Sequence, residues 1–284
     1  MAVPECSIAS QDAGESLAGT AVESVDRWLL LEVTDPWAPK ALQTEALPDP
    51  VRARLTDWLE TPRSRLQLIR RPGPPGKRPR FMLVSSVKGQ RKASTLELDR
   101  YEDLLDVDLD SLPAEPAAPM CLVCVHGRRD RCCALHGGAV FRAIQARGVD
   151  VWQTSHLGGH RFAACALWLP DGLMYGRLRA EHAEDLVAAH RAGEIGQLNL
   201  YRGCCAYDHP TQAAEIFLRR RLRERSAEAI QWQATEPESA SAWEARFRLE
   251  SGDEVVRVRL EDTGVERPAS CGGEPELVTR FVEL

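Results

Sequence analysis

Two histidines, His156 and His160, stand in the stretch HLGGH, and upstream of them Cys124 and Cys133 bound the stretch CVHGRRDRCC. Thiolates and imidazoles are the donors that hold soft and borderline transition metals. A helix brings residues i and i+4 to one face without any glycine. Gly158 and Gly159 instead allow positive φ and a close approach to a bound group, so a loop must aim this histidine pair. Two thiolates with two imidazoles suit tetrahedral zinc, or a [2Fe–2S] cluster in which histidines replace two cysteines. Structural zinc sites pair cysteines roughly two to four residues apart. Here eight residues intervene, a loop wide enough to wrap a two-iron rhomb. Arg128, Arg129 and Arg131 in that loop would set positive charge beside an anionic cluster. Spacing alone leaves both metals open.

The elements around these residues read as β-loop-α-β. Residues 120–125 (MCLVCV) form a short buried strand, and 134–147 a helix with Val140, Phe141 and Ile144 inward and Gly148 closing it. Residues 149–155 form a second strand. Parallel strands joined by a helical crossover expose their carboxyl ends on one edge, where ligands of open α/β sheets bind. Cys124 ends the first strand, and His156 and His160 follow the second. Cys133 sits at the helix entry, where the dipole and free amides favour a thiolate. One βαβ unit thus gathers four donors that are distant in sequence.

The remaining chain gives an α/β (α+β overall) protein in three expected parts. Residues 1–115 form a divergent α/β domain holding only Cys6 and no histidine, with strands at 27–33, 66–70 and 80–87 and an amphipathic helix at 48–60. A Pro/Gly loop, RPGPPGKRP, links the last two strands. The Pro/Ala-rich joint SLPAEPAAP marks a boundary, and residues 116–226 carry the cysteine–histidine motifs. A hairpin turns at Pro170-Asp171-Gly172, and helices follow near 181–191 and 210–225. Residues 227–284 are a small antiparallel segment of three strands with no evident chemistry.

A formal charge of −6 excludes a generic nucleic-acid binder. The basic run RRRLRER (219–225) reads as a solvated helix face rather than a docking patch. No apolar stretch approaches the ~18–20 residues of a membrane span, and the first ten residues lack a secretory h-region. A cytoplasmic location follows as an expectation, and with it metal or redox roles for clustered cysteines rather than disulfides. Cys121 and Cys124 form a CxxC, yet i and i+3 on a strand point to opposite faces and cannot close a disulfide, which disfavours a thiol–disulfide oxidoreductase. Cys132, Cys165, Cys204 and Cys205 read as packing residues, and His126 and His136 as neighbours that could support the ligands.

Cys-x8-Cys followed by His-x-Gly-Gly-His, with a helix between, resembles the sucrase/ferredoxin-like family of thioredoxin-like ferredoxins. The resemblance spans roughly residues 119–207, and CSIASQDAGESLAGTA with WLLLEVTDPW also has the family's look. It implies Cys124 and Cys133 on one iron of a [2Fe–2S] cluster, and His156 and His160 on the reducible iron. Neutral imidazoles in place of thiolates make the centre less anionic, so its potential should exceed that of all-cysteine ferredoxins. Each imidazole's second nitrogen should couple the electron to a proton. The expected protein is a one-electron carrier without substrate turnover of its own. It shows no flavin or nicotinamide fingerprint, so donor and acceptor proteins must supply and remove the electron. Zinc in a structural Cys2His2 interaction module is the alternative. The family's sucrase label finds no carboxylate pair to support glycoside hydrolysis.

Overall fold

The computed structural model of the protein describes residues 5–74, 76 and 78–284; Pro75 and Lys77 of the Pro/Gly loop, and the first four residues, lie outside the described ones. In chain order the elements are α1 (Cys6–Asp12), β1 (Arg27–Glu32), α2 (Asp49–Leu59), β2 (Ser64–Arg70), β3 (Arg80–Ser85), β4 (Lys92–Glu97) and β5 (Glu115–Pro116). Then come β6 (Met120–Cys124), α3 (Arg131–Gln145), β7 (Val151–Thr154), β8 (Ala166–Leu169), β9 (Leu173–Tyr175), α4 (Ala183–Arg191), β10 (Tyr201–Cys204) and α5 (His209–Leu222). The last strands are β11 (Gln231–Pro237), β12 (Ala242–Leu249), β13 (Gly252–Pro268) and β14 (Pro275–Glu283).

A ten-stranded sheet in the order β10-β9-β8-β6-β7-β2-β1-β3-β4-β5 runs through the molecule. It contains the same unit twice. β1 and β2 are parallel partners joined through α2, and β3 and β4 add antiparallel strands beside β1. β6 and β7 are parallel partners joined through α3, and β8 and β9 add antiparallel strands beside β6. The two units meet where β2 pairs antiparallel with β7, through Ile69–Thr154 and Arg70–Gln153. The residue-115 joint therefore falls within one continuous sheet.

Strand alternation decides which core each side chain enters. On β6, Met120, Leu122 and Cys124 face one core, together with Trp28 and Leu30 of β1. Cys121 and Val123 face another, against Val140, Phe141 and Ile144 of α3. The two cysteines of the CxxC thus point to opposite sides, as the strand geometry requires. Leu29 and Leu31 pack with Val51, Leu55 and Trp58 of α2.

The C-terminal sheet has four antiparallel strands, β11-β12-β13-β14, one more than the sequence pattern suggests. β11 is mostly exposed on both faces and so carries no alternation to read. Ala213, Ala214 and Leu218 of α5 close this sheet's core against Phe247, Val256, Val258 and Phe281. The basic run at the end of α5 is not a plain solvated face. Arg219 is fully buried against Glu215 at 2.9 Å, and Arg221 bridges to Glu254 and Glu283 of the C-terminal sheet. No helix among the described residues is long and apolar enough to cross a membrane.

Candidate metal centre

β6 and β7 run parallel with Cys124 opposite Thr154, so the cysteine and the start of the histidine loop leave the sheet at one edge. α3 begins earlier than the apolar periodicity suggests, at Arg131. Asp130 caps it, its Oδ1 accepting the Cys132 N–H at 2.8 Å. Cys133 is therefore the third helical residue, and its side chain turns back toward the sheet edge. Gly137, one turn on, lies so close to β6 that any side chain would strike the Cys124 carbonyl oxygen.

The donor atoms of Cys124, Cys133 and His156 all lie within 4.8 Å of one another. Cys133 Sγ is 3.7 Å from His156 Nδ1, and both cysteines are buried. A hydrogen bond from the Cys133 thiol, with His156 beside it, holds the Cys124 thiol well below its ordinary range despite burial. The same bond, with burial, pushes Cys133 up. The two thiols thus titrate as a pair, with the negative charge favoured on Cys124.

His160 stands beside this trio with its ring centroid 5.2 Å from that of His156. Its Nε2 is 2.9 Å from the Ala269 carbonyl oxygen. A carbonyl only accepts, so Nε2 carries the proton and Nδ1 keeps a bare lone pair. That Nδ1 is buried without a hydrogen-bond partner. An imidazole held by a carbonyl on one nitrogen and bare on the other is the state a metal ligand needs. Burial lowers the His160 pKa and so favours this neutral form.

The loop between the histidines is built from beneath. Gly158 and Gly159 take φ of 102° and 68°, and a side chain on Gly159 would collide with Arg202. The buried Arg202 donates to the Gly158 carbonyl at 3.0 Å and to Thr20, while Arg65 reaches the His156 and Leu157 carbonyls at 3.4 and 3.3 Å. Desolvation lowers the pKa of both guanidinium groups. These are the cations that hold the site; Arg128, Arg129 and Arg131 of the cysteine loop are exposed. His126 supports the candidate ligand His156, its Nδ1 accepting the His156 N–H at 3.2 Å. His136 instead turns to Ser7 and Glu5, at 3.2 and 3.1 Å.

Sequence spacing missed the contribution of the C-terminal segment. Expected to carry no chemistry, it delivers Ala269 to His160 and Cys271 to a second cysteine cluster around Asp130. A main-chain carbonyl has no sequence signature. Arg65, Arg202 and Ala269 act only through the fold.

Three solved structures match the chain, all of a thioredoxin-like [2Fe-2S] ferredoxin from Aquifex aeolicus. Two of them are cysteine-to-serine variants at 19% identity and TM-score 0.27, covering 30% of this chain and 97% of theirs. The third has 19% identity and TM-score 0.26, covering 29% of this chain and 88% of its own. No curated protein matches. The profile of the Sucrase/ferredoxin-like family matches residues 17–203, more than half of the chain and a stretch that holds all four residues of the Cys-x8-Cys and HLGGH motifs. The chain belongs to the Sucrase/ferredoxin-like family.

Proposed function

We propose that the protein binds a [2Fe–2S] cluster through Cys124, Cys133, His156 and His160 and serves as a one-electron carrier. The observation that carries this reading is the bare, buried His160 Nδ1 beside a cysteine–cysteine–histidine trio whose donor atoms all lie within 4.8 Å of one another. The donor set fits the group: two soft thiolates and two neutral imidazoles. When bound, the cluster supplies a single reversible electron at a potential above that of all-thiolate centres.

The chain's own residues do the rest. Ala269 fixes the His160 tautomer, and Arg65 and Arg202 hold the histidine loop by its carbonyls. His156 borders a cavity of about 630 Å³ that is also lined by Lys40, Arg65, His126 and Arg129. An electron-transfer partner protein entering there would come within contact of the imidazole edge, and its matching surface would be acidic.

Anaerobic purification followed by an absorption spectrum, with iron, sulfide and zinc assayed on the same sample, tests the reading. Visible charge-transfer bands with two irons and two sulfides per chain support it. A colourless protein whose zinc is lost on substituting Cys124 or His156 would make the site a structural Cys2His2 module and end the electron-transfer reading.

A further inference from the structure

Around Asp130, apart from the Cys124–Cys133–His156 group, three cysteines from distant parts of the chain converge. Cys6 comes from α1, Cys132 from the first turn of α3, and Cys271 from the turn between β13 and β14. Their sulfurs are 3.7 Å apart for Cys6–Cys132, 3.3 Å for Cys132–Cys271 and 3.7 Å for Cys6–Cys271. Asp130 Oδ1 lies 3.7 Å from Cys6 Sγ and 3.3 Å from Cys271 Sγ. All four donors fall within 4.8 Å of one another.

These lengths of 3.3–3.7 Å come within about 0.5 Å of the edges of a coordination tetrahedron. Metal–sulfur bonds of ~2.3 Å and metal–oxygen bonds of ~2.0 Å separate the donors by roughly 3.5–3.8 Å. We propose that Cys6, Asp130, Cys132 and Cys271 form a second, tetrahedral site for a thiolate-preferring divalent cation, zinc. The carboxylate is already aimed: Oδ1 accepts the Cys132 N–H at 2.8 Å and Oδ2 the Cys271 N–H at 3.0 Å. Each oxygen keeps a lone pair for the ion. A disulfide would need one sulfur pair at ~2.05 Å and would leave the third thiol and the carboxylate without a role. All three sulfur contacts, at 3.3–3.7 Å, are far longer than that bond. Cys6 and Cys271 lie outside residues 17–203, and the site does not depend on the iron reading.

A tetrahedral ion here would tie the N-terminal helix, the start of α3 and the C-terminal sheet at one point. Its outer contacts lead to the first site, since His160 Nε2 is 3.9 Å from Asp130 Oδ2 and Ala269 lies two residues before Cys271.

The test uses the full chain, purified anaerobically with a thiol reductant, with zinc and iron counted on the same sample. One zinc per chain in the wild type is expected, lost in Cys6→Ser and in Cys271→Ser while the iron content and visible spectrum stay. Because a variant can fail to fold, iodoacetamide labelling of the wild type read by mass spectrometry gives a second measure. Cys6, Cys132 and Cys271 should be protected together with zinc present and react together after chelation. Wild type that neither carries nor takes up zinc overturns the proposal. So does zinc retained in both serine variants, or an isolated protein holding a disulfide among the three. Zinc lost in the serine variants from a chain with no iron would sustain this site and end the cluster reading alone.

Discussion

His160 has one nitrogen committed to the Ala269 carbonyl and the other bare, and that asymmetry dictates what its replacement does. His156→Cys and His160→Cys each put a thiolate where a neutral imidazole stood. Each variant should retain iron and lower the reduction potential, measured by protein-film voltammetry; a potential unchanged in both would end the histidine assignment. In the wild type the potential should fall with rising pH in the neutral to alkaline range, by at most about 59 mV per unit for one proton per electron. The slope should flatten in the double cysteine variant. The four proposed ligand positions stand out in the sequence because spacing and residue type both carry chemistry, and the fold brings Cys124, Cys133 and His156 within 4.8 Å of one another with His160 beside them. The groups that tune them do not stand out in the sequence. Asp130 caps α3 locally through the Cys132 N–H, but its second bond, to the Cys271 N–H, exists only once the C-terminal segment meets it. The three outlying cysteines, Cys6, Cys132 and Cys271, likewise showed no shared spacing, because they come from three separate elements.

Among the elements, α3 is held against β6 by the absence of a side chain. Gly137→Ala would drive a methyl group into the Cys124 carbonyl oxygen and should cost about 1–3 kcal/mol, with a loss of bound iron because Cys124 and Cys133 would be pushed apart. Gly138→Ala, whose new methyl would meet only the Arg142 guanidinium at 3.5 Å, should hold or gain stability in the same urea titration. A second element-level device is His190 on α4, which stacks on Trp168 of β8 with centroids 3.9 Å apart. Burial pushes its pKa down to about 3. Unfolded, the ring takes up its proton near ~6.5, so between there and about 3 the unfolded state binds more protons. Stability should therefore fall as pH drops through that window, by up to about 1.4 kcal/mol per unit. His190→Phe keeps the stack and removes the titration; its unfolding free energy should depend less steeply on pH between 6.5 and 4.5 than the wild type's. The βαβ unit and α3's inward face were readable from periodicity, whereas exposed β11 has no pattern to read.

Across the whole molecule, the N-terminal segment, the histidine loop and the C-terminal sheet share one buried carboxylate. Glu15 pairs with Arg267 at 2.9 Å and with Arg161 at 2.7 Å, both Glu15 and Arg267 being buried. Glu15→Ala strands Arg267 without that partner in the interior and should destabilise the fold by about 3–5 kcal/mol. Glu254→Ala, which removes an exposed partner of Arg221, should cost about 1 kcal/mol or less, and denaturant titrations of both variants make the comparison. The doubling of the β-α-β-β-β plan was invisible in the sequence, since the N-terminal copy shares the topology and none of the donors. That doubling bears on how the protein tolerates being cut. The seam between the copies is only two residue pairs long, and β7, the strand that leads into HLGGH, forms half of it. A fragment starting after residue 115 would keep every proposed cluster ligand yet present β7 as a naked edge, with Thr154 and Ser155 stripped of their bonds to Gln67 and Leu68. Such an edge invites pairing with its own kind. The N-terminal copy thus acts as a permanent stopper, a strand partner that covers the edge of β7 from which the HLGGH loop departs.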